Sequence, residues 1–298
     1  MKVSVIVPVY GVEKYIETCA RSLMAQTYRD VEFIFVNDGT KDRSMEVLSG
    51  VIDPKRSVKI INKENAGLPQ ARLTGLQHSS GDYILFVDSD DWIEPDMVEE
   101  LVKAVSASNA DMAYARVVNE TARGTYISRD PSIESCREAA KAILYFKMHG
   151  YLCNKLIRRS LFTPELFYPT ISMHEDLVLN CQALYFGGKC MELDKPLYHY
   201  RKTDSASLSQ MKKAKRDADS ARNFLQLYEF WQGKADSPIK ADIPYIMVRC
   251  AWLAWKNDRS IFKEYPYLAD MARKVPLSAR LGVKFHRQII LKLVLGRV

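Results

Sequence analysis

Short runs of β-branched and aromatic residues alternate with helical patterns through the first half of the chain. The runs are KVSVIVPVY, VEFIFVND, VKIINK and YILFVDSD, which begin at residues 2, 31, 58 and 83. Segments with apolar residues at helical spacing lie between them, for example over residues 13–26. Strands separated by helices of about 10–15 residues predict βαβ units around a mixed, mostly parallel sheet flanked by helices.

The second half of the chain begins with the same alternation and ends in helices. A strand is predicted over residues 111–118 and a helix over residues 135–148. A further helix is predicted to start at Glu175 and Asp176, and KCMELDKPLYHYR, residues 189–201, has the pattern of a strand. From about Ala206 onward the pattern is helical, with prolines as interruptions. The chain is therefore predicted to be an α/β protein with a helical C-terminal extension.

The composition is that of an ordinary globular protein. The chain has 298 residues, 47% of them hydrophobic and 27% charged, which is enough to bury a substantial core. Ser4 and Pro8 interrupt the first apolar run, so neither a signal peptide nor a spanning helix is predicted. Six scattered cysteines without CxxC pairs are typical of reduced, buried thiols. We therefore expect a cytoplasmic protein without zinc or disulfides.

Charge is distributed unevenly along the chain. Residues 1–194 carry 22 Lys and Arg against 27 Asp and Glu, whereas residues 195–298 carry 21 against 9. A basic C-terminal part suggests contact with something anionic, such as phosphates or a membrane surface. A nucleic-acid-binding protein would explain the basic part but not the acidic strand ends, which repel phosphate. No nucleic acid is therefore expected as a partner.

The last segment, PLSARLGVKFHRQIILKLVLGRV, has the pattern of a basic amphipathic helix. Leu281, Phe285, Ile289 and Leu293 recur at helical spacing, with arginines and lysines among them. Such a helix could lie on a membrane surface, which would place the protein on the inner face of the cytoplasmic membrane. Alternatively, it packs on the body of the protein with a basic outer face.

Polar residues follow each of the first four predicted strands. The strand ends are Pro8 to Gly11, Asn37 to Thr40, Asn62 to Gly67 and the aspartate cluster of FVDSDDW. Ligands of parallel α/β sheets bind outside the carboxyl ends of the strands. Four strand ends that meet at one edge would therefore form a single site.

The aspartate cluster places three carboxylates in four positions. Asp88 and Asp90 stand two residues apart, so in an extended segment both side chains point to the same side. Their mutual repulsion would be relieved by a hard divalent cation, Mg²⁺ or Mn²⁺, bridging to a diphosphate. Alternatively, the cluster caps the following helix, which is predicted to begin near residue 94.

Two other strand ends have both a ligand-binding and a purely structural interpretation. Asp38 in VNDGTKDRS could accept hydrogen bonds from a nucleobase edge, or could belong to an ordinary Asp-Gly turn. Asn65 and Gly67 lie in a loop that leads to Arg72, which could orient an anionic ligand at a helix start. The same loop could simply precede a helix.

The chain closely resembles the family 2 glycosyltransferases, enzymes of the GT-A fold, over residues 1–205. The resemblance is carried, in order, by VSVIVPVYGVEKYIETCARSLMAQTYRDVEFIFVNDGTKDRS, NKENAGLPQARLTGLQHSSGDYILFVDSDDW and HEDLVLNCQAL. It implies transfer of a sugar from a nucleotide donor, usually a UDP-sugar, to an acceptor hydroxyl with inversion. Residues 1–205 are accordingly expected to form the donor-binding and catalytic domain, and residues 206–298 a helical basic region that contacts the acceptor or a membrane.

The resemblance also implies roles for individual residues. It implies nucleotide contacts for six positions and places Asp88 near ribose and metal, with Asp90 as the metal ligand. Asp176 of HEDL matches the catalytic base. The six nucleotide positions are Pro8, Val9, Tyr10, Asp38, Asn65 and Arg72.

Further residues are expected near the diphosphate or the acceptor. Arg201 resembles a basic residue that contacts the diphosphate, with Ser205 or Ser207 as a possible hydroxyl donor nearby. His199 is a phosphate contact, a further ligand or a packed strand residue. The remaining two are Glu175, beside the expected base, and Lys155, near the acceptor region.

The expected reaction serves the assembly of a cell-surface polysaccharide or of a glycan on a lipid carrier. The alternative is a nucleotidyltransferase of sugar activation, which shares the α/β sheet, the nucleotide and the metal. That class requires a glycine-rich phosphate loop after the first strand, whereas PVYGVEKY has one glycine.

Overall fold

The computed structural model describes residues 1–202, 213–232 and 243–274. The strands are β1 Val3–Val9, β2 Val31–Asn37, β3 Ser57–Asn62, β4 Tyr83–Phe86, β5 Trp92–Ile93, β6 Met112–Thr121, β7 Gly124–Ser128, β8 Lys155–Arg158 and β9 Cys190–Arg201. The helices are α1 Ile16–Met24, α2 Ser44–Ser49, α3 Leu68–Gln77, α4 Met97–Ser108, α5 Cys136–Leu144, α6 Glu175–Tyr185, α7 Lys213–Gln232, α8 Ile243–Asn257, α9 Ile261–Glu264 and α10 Tyr267–Lys274.

The strands form one mixed sheet in the order β3-β2-β1-β4-β8-β6-β9-β5, with β7 paired to β6. The first four strands of this order are parallel to one another. Strand β8 runs antiparallel to both β4 and β6, and β9 runs parallel to β6. The predicted mixed α/β sheet flanked by helices is confirmed.

The central strand β1 is apolar on both faces because helices cover both. Every residue of VSVIVPV is buried. Val5 and Phe33 belong to the cluster that includes α1 and α4, whereas Ile34 packs with Ala71 of α3 on the other face. Gly75 lets α3 approach closely, since a Cβ there would collide with the side chain of Ile6. This approach positions α3, and with it Arg72, over the sheet.

The described residues fall into two compact units. Of these residues, the first unit contains 1–170 and 179–202, and the second contains 171–178, 213–232 and 243–274. Helix α6 begins in the second unit and continues into the first. The assignment of separate roles to residues 1–205 and 206–298 stays a prediction.

The described part of the second unit is helical, as predicted for the C-terminal extension. Helices α7 and α8 pack together around a core that includes Phe224, Trp231 and Met247. Ser205, Ser207 and the basic segment from residue 276 onward lie outside the described residues. Within the described ranges, no helix is both long enough and apolar enough to cross a bilayer.

Candidate active site

The carboxyl ends of β1, β2 and β4 lie side by side, as the sequence predicts. Val9 pairs with Asn37, and Asp38 donates its backbone N–H to the carbonyl oxygen of Val9 at 3.1 Å. Pro8 and Val9 are buried, whereas Tyr10 is 55% exposed. Tyr10 therefore presents the accessible side chain of the first strand end.

Asp38 is buried, and its carboxylate organises the loop that follows β3. One oxygen accepts from the Lys63 ammonium at 2.5 Å and from the backbone N–H of Ala66 at 3.1 Å. The other accepts from the backbone N–H of Gly67 at 2.8 Å. The structural interpretation of Asp38 as an ordinary turn residue is too simple, because it bonds to another strand end. Its role toward a nucleobase stays a prediction.

Asn65 is exposed in the loop that Asp38 holds. The loop passes so close to Gly39 that a Cβ there would lie 3.0 Å from the backbone nitrogen of Asn65. Gly39 also has a φ of +69°, which other residues rarely adopt. The glycine therefore brings the predicted base-reading residue Asp38 and the predicted nucleoside contact Asn65 to the same part of the edge.

Arg72 joins the third strand end to the aspartate cluster. It lies in α3 with 5% of its surface exposed, and its guanidinium donates to a carboxylate oxygen of Asp88 at 2.7 Å. A charge-assisted bond of this kind fixes the direction of both side chains. Two residues that the sequence assigns separately to the nucleotide are therefore in direct contact.

Asp90 has the electrostatic character expected of a cation ligand. Burial, followed by the negative charge of Asp88, raises the pKa of Asp90 to about 6. A divalent cation between the two carboxylates would relieve this repulsion. In residues 1–202, 213–232 and 243–274 no three His, Cys, Asp or Glu side chains form a metal-binding group. Two carboxylates completed by phosphate oxygens nevertheless fit Mg²⁺ or Mn²⁺, since Mg²⁺ is usually held in that way.

Asp91 does not cap the next helix, which corrects the structural interpretation of the cluster. Its two carboxylate oxygens accept from the Tyr198 hydroxyl at 2.6 Å and from the backbone N–H of Arg201 at 2.8 Å. Helix α4 starts after Asp96, which makes no side-chain cap bond. Burial, together with the charges of Asp90 and Asp88, raises the pKa of Asp91 well above its usual value. Asp91 is thus a buried anchor for β9.

Tyr198 and Arg201 show how β9 is held at the aspartate cluster. The Tyr198 hydroxyl donates to Asp91 and accepts from the backbone N–H of Asp88 at 3.3 Å. The Arg201 guanidinium lies 4.9 Å from the ring centroid of Tyr15. Its positive charge also acts on Asp90, opposing the rise in the pKa of that carboxyl. The predicted diphosphate contact thus lies at the same cluster.

His199 points away from Tyr198 and is packed. Its ring stacks on Trp92 with centroids 3.4 Å apart. One ring nitrogen lies 2.9 Å from a carboxylate oxygen of Glu94, and the other lies 3.1 Å from Glu120. Both nitrogens therefore face carboxylates, which is the arrangement expected of a packed strand residue; contact with a phosphate stays a prediction.

Lys155 is fully buried at the start of β8. Its ammonium donates to the carbonyl oxygens of His149 and Tyr151 at 3.1 and 2.7 Å, and to the side-chain oxygen of Asn154 at 2.9 Å. These bonds fix the loop before β8. Lys155 therefore stabilises the conformation of this loop, and its predicted role near the acceptor stays a prediction.

Glu175 and Asp176 form the first turn of α6 and belong to the second unit. Glu175 is buried, and an Asp176 carboxylate oxygen accepts from the backbone N–H of Leu177 at 2.7 Å. His174 precedes them with a φ of +56° and lies 2.7 Å from the Ser220 hydroxyl. Burial, then the charge of Arg249, lowers the pKa of His174 to about 4. The turn with the predicted base is thus held by α7.

Sequence reasoning missed two residues of this edge. Lys63 donates to Asp38, and Tyr198 bonds to the aspartate cluster. Lys63 is the last residue of the third predicted strand run, so its position was a usable signal. Tyr198 carries no such signal, because its contact with the aspartate cluster depends on how β9 pairs with β6 and β5 in the folded sheet.

The chain matches the family model described as Glycosyl transferase family 2 over residues 4–163. It is 34% identical over 214 residues to the glycosyltransferase GlyA of Streptococcus pneumoniae serotype 4. That match covers 67% of this chain but 30% of GlyA, so the chain spans less than a third of that relative.

Two solved structures resemble the fold along nearly the whole chain. TarS 1-349 of S. aureus in complex with UDP-GlcNAc has a TM-score of 0.71 at 19% identity, covering 99% of this chain and 92% of that one. The mannosyltransferase PcManGT of Pyrobaculum calidifontis, in complex with GDP-Man and Mn2+, has a TM-score of 0.57 at 14% identity, covering 100% of this chain and 81% of that one. At such identities the likeness shows the fold alone, and the predicted fold class is confirmed.

Proposed function

Because this chain belongs to glycosyl transferase family 2, we propose that it transfers a sugar from a UDP-sugar to a hydroxyl group of an acceptor, with inversion at the anomeric carbon. The observation that carries the proposal is the 2.7 Å contact between Arg72 and Asp88. It joins the loop organised by Asp38 to the aspartate cluster, so one continuous edge could hold both nucleoside and diphosphate. Complexes of the two structural neighbours with UDP-GlcNAc and GDP-Man support a nucleotide-sugar donor.

The nucleotide would bind along the carboxyl ends of β1 to β3. Tyr10 offers an exposed ring for contact with the base, and Pro8 and Val9 precede it at the same strand end. Asp38 supplies carboxylate oxygens that can accept from the imide N–H of uracil. Asn65 offers an exposed amide at the same part of the edge as Asp38, which can also bind the nucleoside.

The diphosphate would lie at Asp88, Asp90 and Arg201. Asp90, with Asp88 beside it, would hold Mn²⁺ or Mg²⁺, and the Mn2+ in PcManGT supports this assignment. When bound, the ion would neutralise negative charge that develops on the leaving diphosphate. Arg201 adds a fixed positive charge on the same side, held in place by the bond from its backbone to Asp91.

The acceptor hydroxyl must lose a proton as it attacks the anomeric carbon. We assign that proton to the carboxylate of Asp176, because it matches the family's base and stands in the first turn of α6. Glu175 is buried beside it and is assigned a supporting role in that turn.

We place the reaction in the assembly of a surface polysaccharide, with a glycan or lipid-linked saccharide as acceptor. The excess of 21 basic over 9 acidic residues in 195–298 supports contact with an anionic membrane surface. In this proposal the protein works at the inner face of the cytoplasmic membrane.

The test is a donor screen that follows nucleotide release. The full chain is incubated with several UDP-sugars and GDP-mannose, each with a mixture of methyl glycopyranosides as acceptors, with Mn²⁺ and with EDTA. We expect UDP release from one or more UDP-sugars with Mn²⁺ and its loss with EDTA. In Asp176→Asn we expect donor binding to persist while transfer falls by at least about a hundredfold. Failure of every UDP-sugar to turn over, or release unaffected by EDTA, would contradict the proposal.

A further inference from the structure

A row of aromatic side chains crosses the end of the sheet beside the aspartate cluster. Tyr126 of β7 and Tyr200 of β9 both pair with Asn119 of β6, so the three side chains lie on one face in one row. Tyr151 continues the row, with its ring centroid 5.8 Å from that of Tyr200. We call Tyr126, Tyr200, Tyr151 and the adjoining Lys202 the aromatic row.

Lys202 fixes the outer half of the aromatic row. Its ammonium lies 5.4 Å from the ring centroid of Tyr126 and 5.2 Å from that of Tyr200. It also donates to the Tyr126 hydroxyl oxygen at 3.0 Å. Since a phenol can accept and donate at once, Tyr126 keeps its own proton to donate to a ligand. The two rings are thereby held as a surface with polar tips.

The aromatic row begins where the proposed donor site ends. Tyr198 and Tyr200 are alternate residues of β9 and share a face, about 7 Å apart. The Tyr198 hydroxyl contacts both Asp88 and Asp91. A ligand on Tyr200 would therefore lie next to a sugar whose diphosphate is bound at the aspartate cluster. Tyr126, 51% exposed, forms the outer end.

From these positions we infer that the aromatic row binds the acceptor as a saccharide, with a pyranose ring against Tyr126 and Tyr200. This inference rests on the proposed function. A pyranose has C–H groups on its faces and hydroxyls around its rim, which matches apolar rings with polar tips. The Tyr126 hydroxyl and the Lys202 ammonium would bond the rim, while the rings cover the faces.

The test measures glycoside binding separately from donor turnover. The full chain with UDP and Mn²⁺ is mixed with the methyl β-D-glycopyranosides of glucose, galactose and N-acetylglucosamine, and binding is followed by saturation-transfer NMR. We expect at least one glycoside to bind through its ring C–H groups. Tyr126→Ala should reduce the binding at least about fivefold, and Tyr126→Phe should keep most of it, because the ring remains.

Ile127→Ala is the matched control. Ile127 is 47% exposed in the same hairpin, but its side chain points to the opposite face of the strand. Binding equal to wild type is expected there. Absence of binding by all three glycosides, or equal binding by Tyr126→Ala and wild type, would overturn the inference. UDP-sugar turnover is measured separately on the same protein preparations without added UDP, and its absence would overturn the proposed function instead.

Discussion

Asp88, Asp90 and Asp91 occupy three different environments within four positions. Asp88 is paired with Arg72, Asp90 faces Asp88 with a raised pKa, and Asp91 is buried against β9. In the sequence the three aspartates look equivalent, but in the structure their different contacts distinguish them. Asp88 and Asp90 are the two that we propose to hold the metal and diphosphate, while Asp91 connects the cluster to Tyr198.

Glu32, at the opposite edge of the sheet, gives a pH prediction at the same scale. Its buried carboxylate accepts from Ser4 at 2.6 Å, from the Ser80 backbone at 2.7 Å and from Lys59 at 2.8 Å. Burial would raise the pKa of Glu32, but these bonds outweigh it and lower the pKa to about 2. Because the pKa in the unfolded chain is about 4.3, Glu32 stabilises the fold fully above that pH and loses its contribution as the pH falls to about 2.

We therefore expect Glu32→Gln to lower the free energy of unfolding by about 2 kcal/mol at neutral pH, and by less at each step below pH about 4. Urea unfolding at several pH values measures the difference. Glu17→Gln is the control. Glu17 is 53% exposed, and its one ion pair within the described residues is with Arg21. The substitution should change the free energy of unfolding by no more than about 0.5 kcal/mol. If Glu32→Gln lowered the free energy of unfolding by the same amount at pH 7 and at pH 3, the stabilising role of the ionised Glu32 carboxylate would be refuted.

Among the elements, the loops after β1 and β2 are joined by side-chain bonds around Asp42. Its carboxylate accepts from the Thr40 hydroxyl at 2.7 Å, the Ser44 hydroxyl at 2.6 Å and the backbone N–H of Glu13 at 3.0 Å. Thr40 in turn accepts from the backbone N–H of Gly11 at 2.9 Å. Asp42 therefore positions the segment after Tyr10 against the loop that follows β2.

Loss of this connection should weaken donor binding more than it slows chemistry. For Asp42→Ala we expect the KM for the UDP-sugar to rise about tenfold, with a smaller change in kcat, because one or two hydrogen bonds are worth about 1–2 kcal/mol. Asp42→Asn should recover part of the affinity. Steady-state kinetics with a varied donor gives both constants.

Asp53→Ala is the control for Asp42. Among the described residues, the Asp53 carboxylate accepts a local bond from the backbone N–H of Lys55 at 2.9 Å, in the turn before β3 at the opposite edge of the sheet. It should leave the KM near the wild-type value. If Asp42→Ala behaved like Asp53→Ala, the positioning role would be wrong.

The strand ends of the candidate site were predictable because they depend on local pattern. Strands β1 to β4, β6 and β9 follow from runs of apolar residues, and their polar ends follow from where those runs stop. Strand β8 was missed, since KLIR begins with a lysine; Lys155 is nevertheless buried because three oxygens accept from its ammonium. Strand β5 was missed as well, because its two residues are extended only through pairing with β9.

At the scale of the whole molecule, the residues with predicted roles are distributed over both units. The first contains the strand ends, the aspartate cluster and the aromatic row, and the second contains the turn with Asp176. Family membership is shown for the chain, whereas donor, acceptor and metal are proposals that converge on Asp88 and Asp90. These two carboxylates are therefore the point at which the whole account can be tested.

The most direct measurement is calorimetric titration of UDP into the full chain, with and without Mn²⁺. The account predicts that UDP binding requires Mn²⁺, and that Asp90→Asn weakens the Mn²⁺-dependent binding by at least about tenfold. Asp82→Asn is the control, since Asp82 stands at the other end of β4 and accepts from the backbone of Lys2 at 2.9 Å; wild-type binding is expected. If Asp90→Asn bound UDP with Mn²⁺ as tightly as wild type, the assignment of the donor site would be contradicted.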